Sequence, residues 1–347
     1  MELGERKQRI LAAIVHAYIH TGEPVGSKTV MDMLDNAASS ATIRNEMAEL
    51  SALGYLEQPH TSAGRIPTAA AFRLYIDHMM PRHPLDELDR QSIDKRLGDY
   101  ADNPERLVEE ASQELASSTG CAAVTTTPSE QGSTIRRIDL MRVSPRSVAL
   151  LLVTATGMLR SRVCRFEADV PNEALALLAD TLTTAFGDRS VNEVTLPQVQ
   201  SLLLSLGDYG LLCAPALTSF YELVQEFAEA DVLLAGQLNL LQYPDYERER
   251  ARLLLNFLSR RQQVADMLAA HSGGLRVVLG SESRRPELSG SSIIVTRYTL
   301  GGKAAEHVNG SIGIIGPLRM DYAAAIPRIE YVAQTVGRLL TALFEEE

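Results

Sequence analysis

Apolar residues recur along the first eighty positions with a spacing that changes every dozen residues or so, and each change marks an element. Over residues 5–20, Ile10, Leu11, Ile14, Val15, Tyr18 and Ile19 form one broad face of a first helix. Gly22, Pro24 and Gly26 break it, and Ser27 can cap a short second helix whose Val30, Met33 and Leu34 point inward. Residues 36–39 supply a turn. Ser39 and Ser40 then offer hydroxyl caps to a third helix, in which Ile43, Met47 and Leu50 keep helical spacing. Gly54 suits a left-handed helix end, and Tyr55, Leu56 and Glu57 form a short strand running into the turn 59–64. Arg65 follows, Pro67 limits pairing of the return strand, and Phe72, Leu74, Tyr75 and Ile76 mark a helix that leaves the unit.

Helix, short helix, helix and hairpin over residues 1–80 make a winged helix-turn-helix, an arrangement that reads DNA. The face of the third helix opposite its apolar stripe carries Thr42, Arg44 and Asn45 in the first turns, the part of a recognition helix that reaches base edges. Arginine can fork onto guanine and asparagine onto adenine, so these three are the expected base readers. Ser40, Lys28, His60, Thr61, Ser62 and Arg65 are placed to position the phosphate backbone, with the turn around His60 as the wing. A solvated charge accounts for Lys28 as well as a phosphate contact does. His60 has no nucleophile partner, so a phosphate contact or a turn cap outranks a general base.

The pattern changes beyond this unit. Residues 81–103 are rich in Pro, Asp, Arg and Lys and read as a linker with some helical character. Asn103 as cap and Pro104 at the first helical position start a helix with Leu107, Val108, Ala111 and Leu115 on one side. Strand-like runs follow at 121–126, 135–143, 148–154 and 158–166, with hairpin breaks at 144–146 and 155–157. From Pro171 the chain is leucine-rich helix, with Leu175, Leu178, Leu182 and Phe186, then Phe220, Leu223, Val224 and Phe227, at helical spacing. Strands return at 275–279, 292–298 and 311–315, and a last helix carries Ile329, Val332, Ala333, Val336, Leu339, Leu340 and Leu343. Helix, strands, interruption, strands and helix describe an α+β sheet domain of regulatory type, split by an insertion. Gly310, Gly313 and Gly316 lack the spacing of a dinucleotide fingerprint and read as close packing.

Composition narrows the function. A chain of 347 residues with 45% apolar and 22% charged residues is long enough for two or three domains. The most apolar stretch, 148–159, is too short and too interrupted to span a bilayer, and the charged start MELGERKQR lacks a signal-peptide core, so a cytoplasmic protein is expected. Cys121, Cys164 and Cys213 are far apart and read as buried thiols, so neither a metal nor a disulfide is expected. The formal net charge is -11, and residues 1–80 hold seven Lys and Arg against nine Asp and Glu. DNA binding must therefore rest on a few placed cations and helix N-termini, not on a broad positive field. Between Pro171 and Tyr246 the only basic residue is Arg189 against ten acids, a surface unsuited to phosphates. No HExxH, GxSxG or P-loop is present, so neither an enzyme nor a bound cofactor is expected.

The runs GEPVGSKT, SSATIRNEMAEL and GYLEQPHTSAGRIPT, with GPLRMDY at residues 316–322, resemble the HrcA family of heat-inducible transcription repressors over nearly the whole chain. The resemblance implies a repressor of chaperone operons that binds an inverted-repeat operator, CIRCE, as a homodimer, with a GroEL-type chaperonin modulating its activity. It also implies that the sheet domain is GAF-like, in two parts at 104–170 and 261–347, around an inserted, mainly helical dimerisation subdomain at 171–260. Ala69, Ala70, Ala71 and Phe72 depart from the family pattern after the wing, which bears on the hinge more than on DNA reading. Two other classes stay open: a small-molecule-responsive regulator with its pocket in the sheet domain, and a protein-binding module using the helix-turn-helix to dock a partner.

Overall fold

The computed structural model describes residues 3–35, 39–59, 64–81, 83–128, 133–155, 157–228, 231–270, 274–300 and 309–345. The N-terminal unit contains α1 (Glu5–Thr21), α2 (Ser27–Met33), α3 (Ser40–Ala52), the strands β1 (Leu56–Glu57) and β2 (Ile66–Pro67), and α4 (Ala69–His78). Its apolar stripes meet as expected: Ile10, Ile14, Val30, Ile43, Leu50 and Phe72 are buried in one cluster. Two local readings change. Gly26, not Ser27, precedes the first turn of α2, and Met33 is exposed because that helix ends before a second inward turn forms. Pro67 does pair, opposite Leu56, and the neighbouring Thr68 N–H bonds to Tyr55 O at 3.0 Å, so the missing proline donor costs the hairpin little.

The central body is a five-stranded antiparallel sheet of β3 (Ala122–Thr126), β7 (Val232–Ala235), β8 (Arg276–Leu279), β9 (Ser291–Thr299) and β10 (Asn309–Pro317), in the order β7-β3-β10-β9-β8. Counted within this sheet alone the order is 2-1-5-4-3, the GAF-like arrangement. On one face lie α6 (Pro104–Thr119) and α12 (Tyr322–Glu345), and on the other α10 (Arg248–Leu258) and α11 (Arg261–Ala269). Successive side chains therefore enter different cores: Ile294 and Ile314 face α6 and α12, while Ile293, Val295 and Ile315 face α10 and α11. Burial on both faces explains why β9 and β10 carry only one charged side chain, Arg297, between them. The three glycines of β10 are close approaches. A side chain at Gly310 would strike the Tyr298 ring, and one at Gly313 would lie 3.2 Å from Leu268.

The stretch expected as a linker contains a helix, α5 (Glu87–Gly98), that buries Ile93 and Leu97 and lies along α12. Asp94 of α5 accepts hydrogen bonds from Tyr331 Oη at 2.8 Å, Thr335 Oγ1 at 3.3 Å and Arg338 at 2.9 Å. The remaining strands, β4 (Ile135–Ser144), β5 (Ser147–Thr154) and β6 (Leu159–Arg165), were expected with the first part of the GAF-like sheet. They form a separate sheet, β4-β5-β6, because both flanks of β3 are already taken by β7 and β10. The inner face of that sheet (Ile138, Val148, Leu150, Leu152, Cys164) packs on α7 (Asn172–Phe186), α8 (Leu196–Ser205) and α9 (Gly210–Ala228) in a core of its own. The insertion thus leaves after β3 and returns at β7, and α10 belongs to the main sheet.

Phe186 and Phe220 stack in that core with ring centroids 5.1 Å apart, and both are fully buried. Phe220→Ala leaves a cavity there and is expected to cost about 3–5 kcal/mol. Chemical denaturation should show the loss in a transition separable from unfolding of the five-stranded sheet, since the two cores share no buried residue.

Candidate nucleic-acid interface

The position of α3 follows from both of its faces. Its inner stripe is Ile43, Met47 and Leu50, but Glu46 shares that face and is only 4% exposed. A carboxylate in such a place must be paired. Arg6 of α1 donates to Glu46 Oε1 through Nε at 2.8 Å and also through Nη2, and Lys7 Nζ lies 3.2 Å from Oε2. Lys7 also reaches Glu49 Oε2 at 2.9 Å, so two turns of α3 are bound to the start of α1. Burial alone pushes the Glu46 carboxyl up, yet the Arg6 and Lys7 hydrogen bonds outweigh it and hold the group below its ordinary value of 4.5. The sequence reading missed this residue although the signal was present. An acid three positions after Ile43 falls on the buried stripe and demands a cation from elsewhere.

The outer face of α3 presents Arg44 and Asn45 to solvent, with Ala41, Ala48 and Glu49 beside them. Ser39 caps the helix: its Oγ accepts from Thr42 N at 3.2 Å and lies 2.9 Å from Thr42 Oγ1. Thr42 is half-buried and its hydroxyl is engaged by that cap, whereas Arg44 and Asn45 form no side-chain ion pair among the described residues. Ser40 Oγ lies 3.0 Å from Ser27 Oγ, which ties the first turn of α3 to the first turn of α2, where Lys28 is exposed. The first turn of α3 thus adjoins the start of α2 and its exposed Lys28, and a helix N-terminus beside a cation favours an anion.

Arg65 stands at the base of the wing. Its backbone pairs with Val25 in both directions at 2.9 Å, adding a third short segment to the β1-β2 hairpin, and its side chain is half-buried. Gly64 is required there because a side chain would strike the Val25 carbonyl. Three of the proposed backbone contacts, His60, Thr61 and Ser62, lie outside the described residues. Of the expected set, α2, α3 and the wing base therefore bring together Lys28, Ser40, Thr42, Arg44, Asn45 and Arg65. Among the described residues no helix is long and apolar enough to cross a membrane, and no group of three or more His, Cys, Asp or Glu side chains could hold a metal ion.

Comparison with known proteins accords with this geometry. Residues 2–79 match the family model described as winged helix-turn-helix transcription repressor, HrcA DNA-binding, and residues 105–326 match HrcA protein C terminal domain. Proteins named heat-inducible transcription repressor HrcA align along almost the entire length. That of Syntrophobacter fumaroxidans is 33% identical over 98% of both chains. That of Desulforudis audaxviator is 32% identical over 99% of this chain and 100% of its own. A crystal structure described as a hypothetical protein at 2.2 Å resolution is similar in fold, with a TM-score of 0.66 at 24% identity over 99% of this chain and 100% of its own.

The depressed Glu46 carboxyl makes stability of the N-terminal unit depend on acid. Its contribution is complete above about 4.5, the unfolded value, and is lost as pH falls through the lower folded value. Melting curves followed downward from neutral pH should fall steeply below that point in the native chain and less so in Glu46→Gln, where the titrating group is absent. Equal acid sensitivity of the two proteins would remove Glu46 from this role.

Proposed function

The chain belongs to the HrcA family, whose named members are heat-inducible transcription repressors, and on that premise we propose how its DNA-binding unit is used. It is a DNA-binding repressor of the heat-shock response. Arg44 and Asn45 read base edges in the major groove, and Thr42, packed against the Ser39 cap, approaches them from the first turn. Lys28, Ser40 and Arg65, with His60, Thr61 and Ser62 of the wing, hold the phosphate backbone. The observation that carries this reading is the two-sided character of α3. Its inner face is pinned to α1 by Glu46, and its outer face offers a forked donor and an amide beside an N-terminus free of acidic side chains in its first turn.

The protein acts in the cytoplasm as a homodimer on an inverted repeat of the CIRCE type, occluding the promoter, and a GroEL-type chaperonin modulates its activity. Support for the dimer comes from apolar surface concentrated on the insertion. Leu204 and Leu211 are 87% and 90% exposed, and Met141, Val143, Leu159 and Val163 lie on the outer side of the three-stranded sheet. An isolated leucine needs no explanation on a protein surface, but a concentration of this kind marks an association site. Between Pro171 and Tyr246 the scarcity of basic residues disfavours contact with DNA phosphates.

Arg44→Ala is expected to weaken operator binding by about 1–3 kcal/mol and to relax preference at one base pair of each half-site. Fluorescence anisotropy against native and singly substituted operators reads both effects, and unchanged affinity with unchanged preference would overturn the assignment of α3. The paired substitution Leu204→Asp with Leu211→Asp should shift sedimentation toward the monomer. A variant that stays folded and fully dimeric would place the dimer contact elsewhere.

A further inference from the structure

The N-terminal unit and the sheet domain meet through few elements, yet side chains reach across the boundary in both directions. From the N-terminal side, Arg73 of α4 donates through Nε to Glu282 Oε1 at 3.0 Å, through Nη2 to Glu282 Oε2, and through Nη2 to the Val277 carbonyl at 2.7 Å. Glu282 is itself fixed, since it accepts from Leu279 N at 2.9 Å. From the other side, Arg319 just ahead of α12 donates through Nη1 to Ile19 O at 3.3 Å, in the last turn of α1. Its Nε bonds to both carboxylate oxygens of Asp245 at 3.1 and 2.9 Å, and its guanidinium lies 5.5 Å from the centre of the Tyr243 ring. A cation at this place also meets the negative end of the α1 dipole.

Both grips carry hydrogen bonds across the boundary, and they flank an apolar contact in which the Phe72 and Tyr322 rings stand 6.1 Å apart. Beside Arg319 a cavity of about 330 Å3 opens between Ile19, His20, Tyr243 and Ala325, so close packing does not immobilise α1 on that side. Gly22 completes the arrangement. Its positive φ of 69° caps α1, and a side chain there would press on the Arg319 guanidinium at 3.1 Å.

From this geometry we infer that Arg73 and Arg319 are specificity-determining positioning residues. They fix the angle at which each recognition helix leaves the sheet domain, and thereby the half-site spacing that the protein accepts. The inference rests on the dimeric reading of the operator complex. Two readers held rigidly on one assembly meet the groove together only at spacings that match their separation, whereas readers on loose tethers tolerate many. Neither arginine touches DNA in this scheme, so the affinity for a single half-site is independent of both.

The test uses the full chain and inverted-repeat duplexes that differ only in spacer length. The native protein should prefer its best spacer over one changed by half a helical turn by roughly tenfold or more, as expected of rigidly held reading heads. Arg73→Met with Arg319→Met should reduce that preference to about twofold with half-site binding unchanged, as expected of tethered ones. Glu282→Gln, which weakens one grip from the opposite side, should fall between. A second readout needs no DNA: spin labels at Ala48→Cys and Glu109→Cys, diluted with unlabelled protein, should give a narrow distance distribution in the native background and a broad one in the double variant. Undiminished spacer preference, or equally narrow distances, overturns the inference. If the native protein prefers no inverted repeat over a half-site, the dimeric reading fails instead, and the distance distributions alone decide whether the arginines hold the unit.

Discussion

The orientation of α3, the proposed reading helix, depends on a carboxylate that has to be neutralised. Glu46 lies among Ile43, Met47 and Leu50 on the buried side of α3, where an unpaired charge would cost several kcal/mol, and the cations that answer it belong to α1. The recognition helix therefore cannot roll without separating those charges, and its Arg44 and Asn45 face is held outward as a consequence. At about 1.5 Å per residue, the 17 residues of α1 then carry that constraint over about 25 Å to the other end of the helix. There Arg319 donates to the Ile19 carbonyl in the last turn. One helix thus links the reading surface to the sheet domain, with a charged contact at each end and apolar packing between.

The body behind it is built on a contrast between two sheets. The five-stranded sheet is covered on both faces, which makes it a rigid platform whose central strands β10 and β9 contribute side chains to two cores at once. The three-stranded sheet of the insertion is covered on one face only, and its exposed face keeps apolar residues that a monomer gains nothing by displaying. The platform carries the DNA reader through α5, α12 and the two arginines, while the insertion projects the surface suited to a second copy. In the proposed dimer, reading and pairing thereby fall on different bodies joined through β3 and β7.

Much of this was legible in the chain, and the failures have physical reasons. The three-helix pattern, the Gly54 turn and the hairpin follow from spacing and from turn residues, both local signals. The separation of the two sheets was written in the strands as well. Residues 291–299 and 309–317 carry a single charged side chain, Arg297, as burial on both faces requires, whereas 135–144 and 159–165 interleave arginines with apolar residues, as burial on one face permits. Grouping strands by proximity in sequence overrode that cue. The short β7 was missed because four residues within a leucine-rich stretch carry no period of their own. Contacts such as Arg73 with Glu282 or Arg319 with Ile19 join positions more than 200 residues apart, and nothing in a single sequence marks one arginine among many for such a role.

The distribution of arginine and lysine resolves the tension between an acidic protein and a DNA ligand. Of the seven cations in residues 1–80, Arg6 and Lys7 are consumed by Glu46 and Glu49, and Arg73 by Glu282. Among the described residues, Arg9, Lys28, Arg44 and Arg65 enter no such ion pair, and the last three belong to α2, α3 and the wing base. A protein that attracts phosphate through so few charges gains little from arbitrary duplex, because nonspecific affinity grows with the number of phosphates neutralised. In the proposed dimeric reading, discrimination between operator and bulk DNA then comes from base-edge contacts and from the simultaneous fit of two half-sites. Both depend on orientation, and for that reason the cations spent inside the protein, on Glu46 and across the boundary at Arg73 and Arg319, matter as much for recognition as those left free to meet DNA.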